Sequence, residues 1–247
     1  MAIQHSPLDT PLPEAYADFN LDRHDDHEFS DDDKQFMAFI GSAFRNELDW
    51  YSLTESMTSV RDRAGEPNVN ALVECGYIDS SRLLNKRYYS LTRKGWRTIG
   101  ESVPGNEFGD HMEKMPHRVG VHLLSQYILE RDDVESAESY ERYDGETYDV
   151  IGYDSSGNIV VTGEVETESN NAKAVVEDYK KLSEAPGDMI WVHPSERAFS
   201  EVWGMINEHA LDGNLPKQAA HRTHELEEFL DRNNISDITA KTYGKLN

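Results

Sequence analysis

A single cysteine, Cys75, stands in 247 residues, so no disulfide framework and no thiolate metal site can form within one chain. No apolar run approaches the roughly 18 residues that a membrane-spanning helix requires. The opening MAIQHSPLDT lacks the basic-then-apolar pattern of a secretory signal. A phosphate loop, a Gly-x-Ser-x-Gly element and a dinucleotide fingerprint are missing, and no internal repeat is apparent. These absences predict a soluble, cytoplasmic protein with no membrane partner. Basic side chains are also scarce, 24 against 47 acidic, which leaves a net charge of −23.

Three readings of that charge compete. A disordered, solvated acidic protein is disfavoured by 37% hydrophobic and 10% aromatic residues. An acidic partner-binding protein is the second. The third is adaptation to very high salt, where surface carboxylates keep a protein hydrated. Lysine is rarer than arginine, 10 against 14, which favours the third reading and a composition of the haloarchaeal type.

Composition divides the chain into residues 1–31, 32–101, 102–112 and 113–247. Residues 1–31 carry prolines at 7, 11 and 13 and the acidic run Asp22–Glu28, and read as a flexible leader. His24 and His27 among those acids offer metal ligands, but a solvated tail explains them as well. Ser30-Asp31-Asp32-Asp33 caps a helix with Phe36, Met37, Ile40, Phe44 and Leu48 at helical spacing. Short helices are expected at Thr54–Met57 and about 67–75, the latter turning Val69, Leu72 and Val73 inward and ending at Gly76. Two strands at about 77–83 and 87–91 flank a tip at Leu84-Asn85-Lys86. Thr92 opens another helix.

Helix, helix, helix, hairpin, helix is the order of a winged helix-turn-helix. The stretch LVECGYIDSSRLLNKRYYSLTRKGWRTIGE resembles the end of such domains, over residues 32–101. The resemblance implies DNA as partner, with the third helix in the major groove and the wing on the backbone or minor groove. The charge map agrees independently. Arg82, Lys86, Arg87, Arg93, Lys94 and Arg97 occur with no acid between them. Pairing of these cations with acids elsewhere in the fold, or a protein-interaction role, are the competing readings. The third helix offers only Asn68 and Asn70 for reading bases.

Residues 102–112 are a linker by composition. Beyond them the expected order is α-β-β-β-α-β: a helix at about 117–131, strands at about 135–143, 147–153 and 159–167, a helix at about 171–185, and an apolar strand at Met189–Val192. The five-residue turn Asp154–Asn158 closes a hairpin and brings Asp149 near Glu164. Alternation along a strand turns Glu164 and Glu166 the same way. Crowded carboxylates of this kind suit a hard divalent cation.

The element order, with Asp149 on one strand and Glu164-x-Glu166 on the next, resembles the PD-(D/E)XK nuclease superfamily over residues 113–193. That resemblance implies a restriction-endonuclease-like α/β domain with an αβββαβ core, and Mg (or Mn) as cofactor for phosphodiester hydrolysis. Asp149 and Glu164 would hold the metal, and Glu166 would complete the catalytic set. Glu166 stands where lysine is usual, and Lys173, Lys180 and Lys181 are candidates for a lysine moved to the following helix. Glu113 or His117 would supply a polar residue from the first helix. The competing reading makes Glu164, Glu166 and Glu168 an exposed face of an acidic protein, and the chain a DNA-binding regulator or replication accessory without catalysis. Helices at about 196–210 and 217–232 and a strand at 236–243 complete the chain. His221 and His224 are one turn apart with no third ligand evident. The oligomeric state stays open, with a homodimer among the arrangements.

Overall fold

The computed structural model describes residues 29–100, 113–167, 171–211, 225, 226, 228 and 238–246. The expected leader up to residue 28 with its histidines, the linker, Glu168 and the pair His221 and His224 lie outside these residues. So does the helix expected at 217–232, apart from Glu225, Leu226 and Glu228. The chain forms two compact units, Met1–Met115 and Pro116–Asn247. It is a mixed α+β fold with one two-stranded antiparallel sheet and one five-stranded mixed sheet.

In the first unit, Ser30 caps α1 (Asp31–Phe44) through a reciprocal box. Its hydroxyl accepts from the Asp33 N–H at 3.2 Å, and the Asp33 carboxylate accepts from the Ser30 N–H at 2.9 Å. The same turn ties down a distant loop. Asp32 accepts from the Glu66 N–H at 2.9 Å and Asp33 from the Asn68 N–H at 2.6 Å. Part of the acidic surplus is therefore structural. Two further helices follow, α2 (Thr58–Arg63) and α3 (Val69–Glu74).

The second helix begins later than the sequence predicts, and 54–57 is a turn. Ser52 and Ser56 hydroxyls accept from the N–H groups of Thr54 and Thr58, each at 3.3 Å. Such local bonds compete with helix formation. Arg61 and Arg63 lie in the last turn of α2, and Arg61 pairs with the neighbouring Asp62. On α3, Leu72 is buried as expected, with Ala71 beside it and Val69 half-buried, while Val73 is exposed where the sequence turns it inward.

Strands β1 (Ile78–Leu83) and β2 (Lys86–Leu91) pair antiparallel. Leu84 and Asn85, at φ 48° and 62°, form the whole tip. Two consecutive positive φ angles define the two-residue turn that matches strand twist, so Lys86 belongs to β2. Thr92 caps α4 (Arg93–Thr98). Phe36 meets Tyr89, and Phe44 meets Trp96, edge to face in the core of this unit.

In the second unit, α5 (Met115–Leu129) precedes β3 (Ser136–Tyr143), β4 (Glu146–Tyr153) and β5 (Ile159–Val165). Then come α6 (Ala172–Ser183), β6 (Asp188–His193), α7 (Glu196–His209) and β7 (Ile238–Thr242). The sheet order is β3-β4-β5-β6-β7. The hairpin strands are antiparallel, and β5, β6 and β7 run parallel. Element order and boundaries match the sequence reading within a few residues. Trp191, Phe199, Val202, Trp203 and Ile206 join Val175, Tyr179 and Leu182 in a core under α6 and α7.

Helix α5 lies on the opposite face, and three glycines let it press close. A Cβ at Gly163 would fall 2.7 Å from the Leu124 side chain, and one at Gly152 would fall 2.7 Å from Ile128. A Cβ at Gly120 would collide with the Tyr243 hydroxyl, which itself donates to the Pro116 carbonyl at 3.1 Å. Gly120→Ala should therefore cost about 1–3 kcal/mol in denaturant unfolding. Adding Tyr243→Phe should recover part of that loss. An alanine variant as stable as the parent would show that the helix has room to shift.

Candidate metal centre

The site stands where β4 begins and β5 ends. Val150 pairs with Gly163, so one step outward sets Asp149 beside Glu164. Directly paired residues share a face, and alternation turns these two away from the side on which Gly152 and Gly163 meet Ile128 and Leu124, so that only the first turn of α5 reaches Asp149. Glu164 in turn pairs with Trp191 of β6. Asp149 and Glu164 are buried, as is Glu166, which is only 2% exposed. An exposed acidic strand face is thus excluded for Glu164 and Glu166.

Each carboxylate has its own surroundings. Asp149 Oδ2 accepts from the Val165 N–H at 2.7 Å and lies 3.4 Å from His117 Nε2. His117 is in the first turn of α5, and its Nε2 is also 3.0 Å from the Val165 carbonyl. Glu164 Oε1 lies 2.6 Å from Lys181 Nζ of α6. That contact is an ion pair and not an aligned hydrogen bond, since among the described residues Oε1 has no donor in good geometry. The Lys181 ammonium also donates to the Thr147 carbonyl at 3.0 Å and lies 3.8 Å from Asp178. It sits 5.2 Å from the centre of the Tyr148 ring. Of the three candidate lysines, Lys181 alone reaches the carboxylates. Lys173 pairs with Glu177 on the surface at 3.6 Å, and Lys180 is exposed.

Burial pushes both acids toward the neutral form, but the neighbours separate them. For Asp149, burial is outweighed by His117, the Val165 N–H and Lys181, and its pKa falls below the ordinary aspartate value. For Glu164, burial and the Asp149 charge win over Lys181, and its pKa is raised well above normal. Burial alone would lower the Lys181 pKa, but Glu164, Asp178 and Asp149 raise it. Two carboxylates with pKa values driven apart are a common basis for an acid–base pair.

Glu113, His117 and Asp149 each bring one donor atom within 4.8 Å of the others, a group that could hold a metal ion. Carboxylate oxygens suit Mg²⁺ or Mn²⁺, and an imidazole broadens the choice toward later transition metals. Glu164 is not part of that group; its Oε1 faces the Lys181 ammonium at 2.6 Å instead. Tyr140 of β3 lies across from Asp149, between the pairs Ser139–Val150 and Glu141–Tyr148. Its φ of 57° is unusual for an aromatic residue, and its ring packs 5.0 Å from the Arg118 guanidinium. Strained backbone of this kind gathers at functional sites. Neither Tyr140 nor Arg118 carries a signal in the sequence, because a left-handed tyrosine has no pattern.

His193, at the end of β6, is fully buried, and among the described residues neither ring nitrogen has a hydrogen-bond partner. Burial pulls its pKa from 6.5 down to about 3. A base depressed in the fold contributes stability that is complete above its unfolded value of 6.5 and fades as pH falls toward 3. His193→Phe should therefore flatten the acid limb of a melting-temperature profile. An unchanged limb would place the acid sensitivity elsewhere.

Comparison with family models, with curated proteins and with solved structures returns no match. No helix among the described residues is long and apolar enough to cross a membrane.

Proposed function

We propose that this chain binds DNA through a winged helix and hydrolyses its phosphodiester bonds with a restriction-endonuclease-like domain dependent on Mg²⁺ or Mn²⁺. The observation that carries the reading is the buried Asp149–Glu164 pair, with a lysine on one side and a histidine on the other. Two carboxylates buried side by side are costly unless a cation neutralises them. When bound, the ion supplies Lewis acidity toward a phosphoryl oxygen. Asp149 and Glu164 hold the ion, and His117 and the Val165 N–H fix the orientation of Asp149. Lys181 stands in for the lysine absent at 166. Its ammonium, beside Glu164, would stabilise negative charge on a phosphoryl group or an attacking water.

The test is incubation of the full chain with supercoiled plasmid in molar KCl, with Mg²⁺, Mn²⁺ or EDTA. Nicked or linear product with either ion and none in EDTA is expected. Binding without cleavage under every divalent ion would replace this reading with a non-catalytic DNA-binding protein. That second reading draws on one observation, the buried Glu166 in the usual lysine position.

A further inference from the structure

Arg82 and Arg87 lie directly opposite each other on β1 and β2. Both are exposed, and among the described residues neither has an ion-pair partner. Like charges directly opposite on a hairpin destabilise it. In a chain with 47 acidic residues, leaving both unneutralised is a feature that an external anion would explain. Arg97 of α4 is likewise exposed and without an ion-pair partner.

The lysines of the same segment are engaged internally. Lys86 Nζ donates to the Thr54 carbonyl at 2.5 Å, and Lys94 Nζ donates to the Cys75 carbonyl at 2.8 Å. Lys94 also lies 4.1 Å from the centre of the Tyr77 ring. These two ammonium groups tether loops, and their removal would loosen the fold. Helix α3 differs again. It is six residues long, its exposed side chains are Asn70, Val73 and Glu74, and the exposed Glu66 stands just before it. It carries no cation, and a phosphate backbone would repel Glu74 and the nearby Glu66.

We infer that nucleic acid is gripped wing-first, by Arg82, Arg87 and Arg97 on the phosphate backbone, with α3 outside the groove. This rests on the DNA-binding reading above and reverses the role that the winged-helix resemblance gives the third helix. Guanidinium groups suit phosphate because their planar fork donates two parallel hydrogen bonds. Contacts of this kind carry no base information, so the affinity is independent of sequence.

Fluorescence anisotropy with the full chain, two duplexes of unrelated sequence and a KCl series tests this. The double variant Arg82→Ala, Arg87→Ala should bind at least about tenfold more weakly at the lowest salt. Its log affinity against log salt should flatten by about 0.9 for each lost phosphate contact. Asn70→Ala and Glu74→Gln should bind both duplexes as the parent does. Lys86→Met should lower the melting temperature and leave the salt slope unchanged. If the parent binds but the double arginine variant keeps its slope, the inference fails and the DNA reading stands. Asn70→Ala erasing a preference between the duplexes would put α3 back in the groove and overturn it as well. A parent with no salt-dependent binding to any duplex would remove the DNA reading itself, and this inference with it.

Discussion

Lys181→Met should melt far below the parent in EDTA, by on the order of 10 °C. The ammonium faces Glu164 at 2.6 Å and helps to hold Asp149 ionised nearby. Removing one partner of a buried ion pair costs about 3–5 kcal/mol, because the remaining charge has neither water nor a counterion. Adding Glu164→Gln should recover most of the loss, since a neutral amide needs no cation. The pH dependence follows from the raised pKa of Glu164. A folded state that keeps a proton which the unfolded chain releases is favoured at low pH. The stability from this group is therefore complete below the ordinary value of 4.5 and declines as pH rises toward the raised value. That slope should be steeper in Lys181→Met and flat in Glu164→Gln. Millimolar Mn²⁺ should restore the lysine variant, because a ligand that binds only the folded state stabilises it. A variant melting with the parent in EDTA would show that Lys181 is not the counterion.

Asp149→Asn should lose cleavage by about 10²–10⁴-fold while keeping the fold and the affinity for DNA. The amide oxygen can still accept from the Val165 N–H, so the local backbone is preserved. What disappears is a negative charge at the one point where His117, Glu113 and the β4–β5 pair converge. The rise in melting temperature on adding Mn²⁺ should vanish as well, which reads metal binding independently of turnover. Cleavage at the parental rate, with the metal response intact, would remove Asp149 from the centre.

The alternating carboxylates and the turn at Asp154–Asn158 were legible in the sequence, because strand alternation and turn chemistry are local. The cross-strand placement of Asp149 and Glu164 followed from them. The choice of Lys181 over Lys180 was not legible, since it depends on the rotational phase of α6 over the sheet. The partnership of His117 with Asp149 depends on how deeply α5 settles, which no spacing records. The error at 54–57 came from hydroxyls that bond to nearby backbone in place of entering a helix. The six basic residues of the hairpin segment looked equivalent as letters. Two proved to be internal tethers, because a lysine stem is long enough to reach a carbonyl across the fold.

The bare backbone at positions 120, 152 and 163 has a consequence for how this protein tolerates change. The thickness of the layer beneath α5 is set there by missing atoms, and the imidazole of His117 rides on that layer. One added methyl group would displace that imidazole without touching it. If the chain cleaves DNA as proposed, mutational scans should find cleavage lost at these glycines, through a misplaced nitrogen and not through a lost contact.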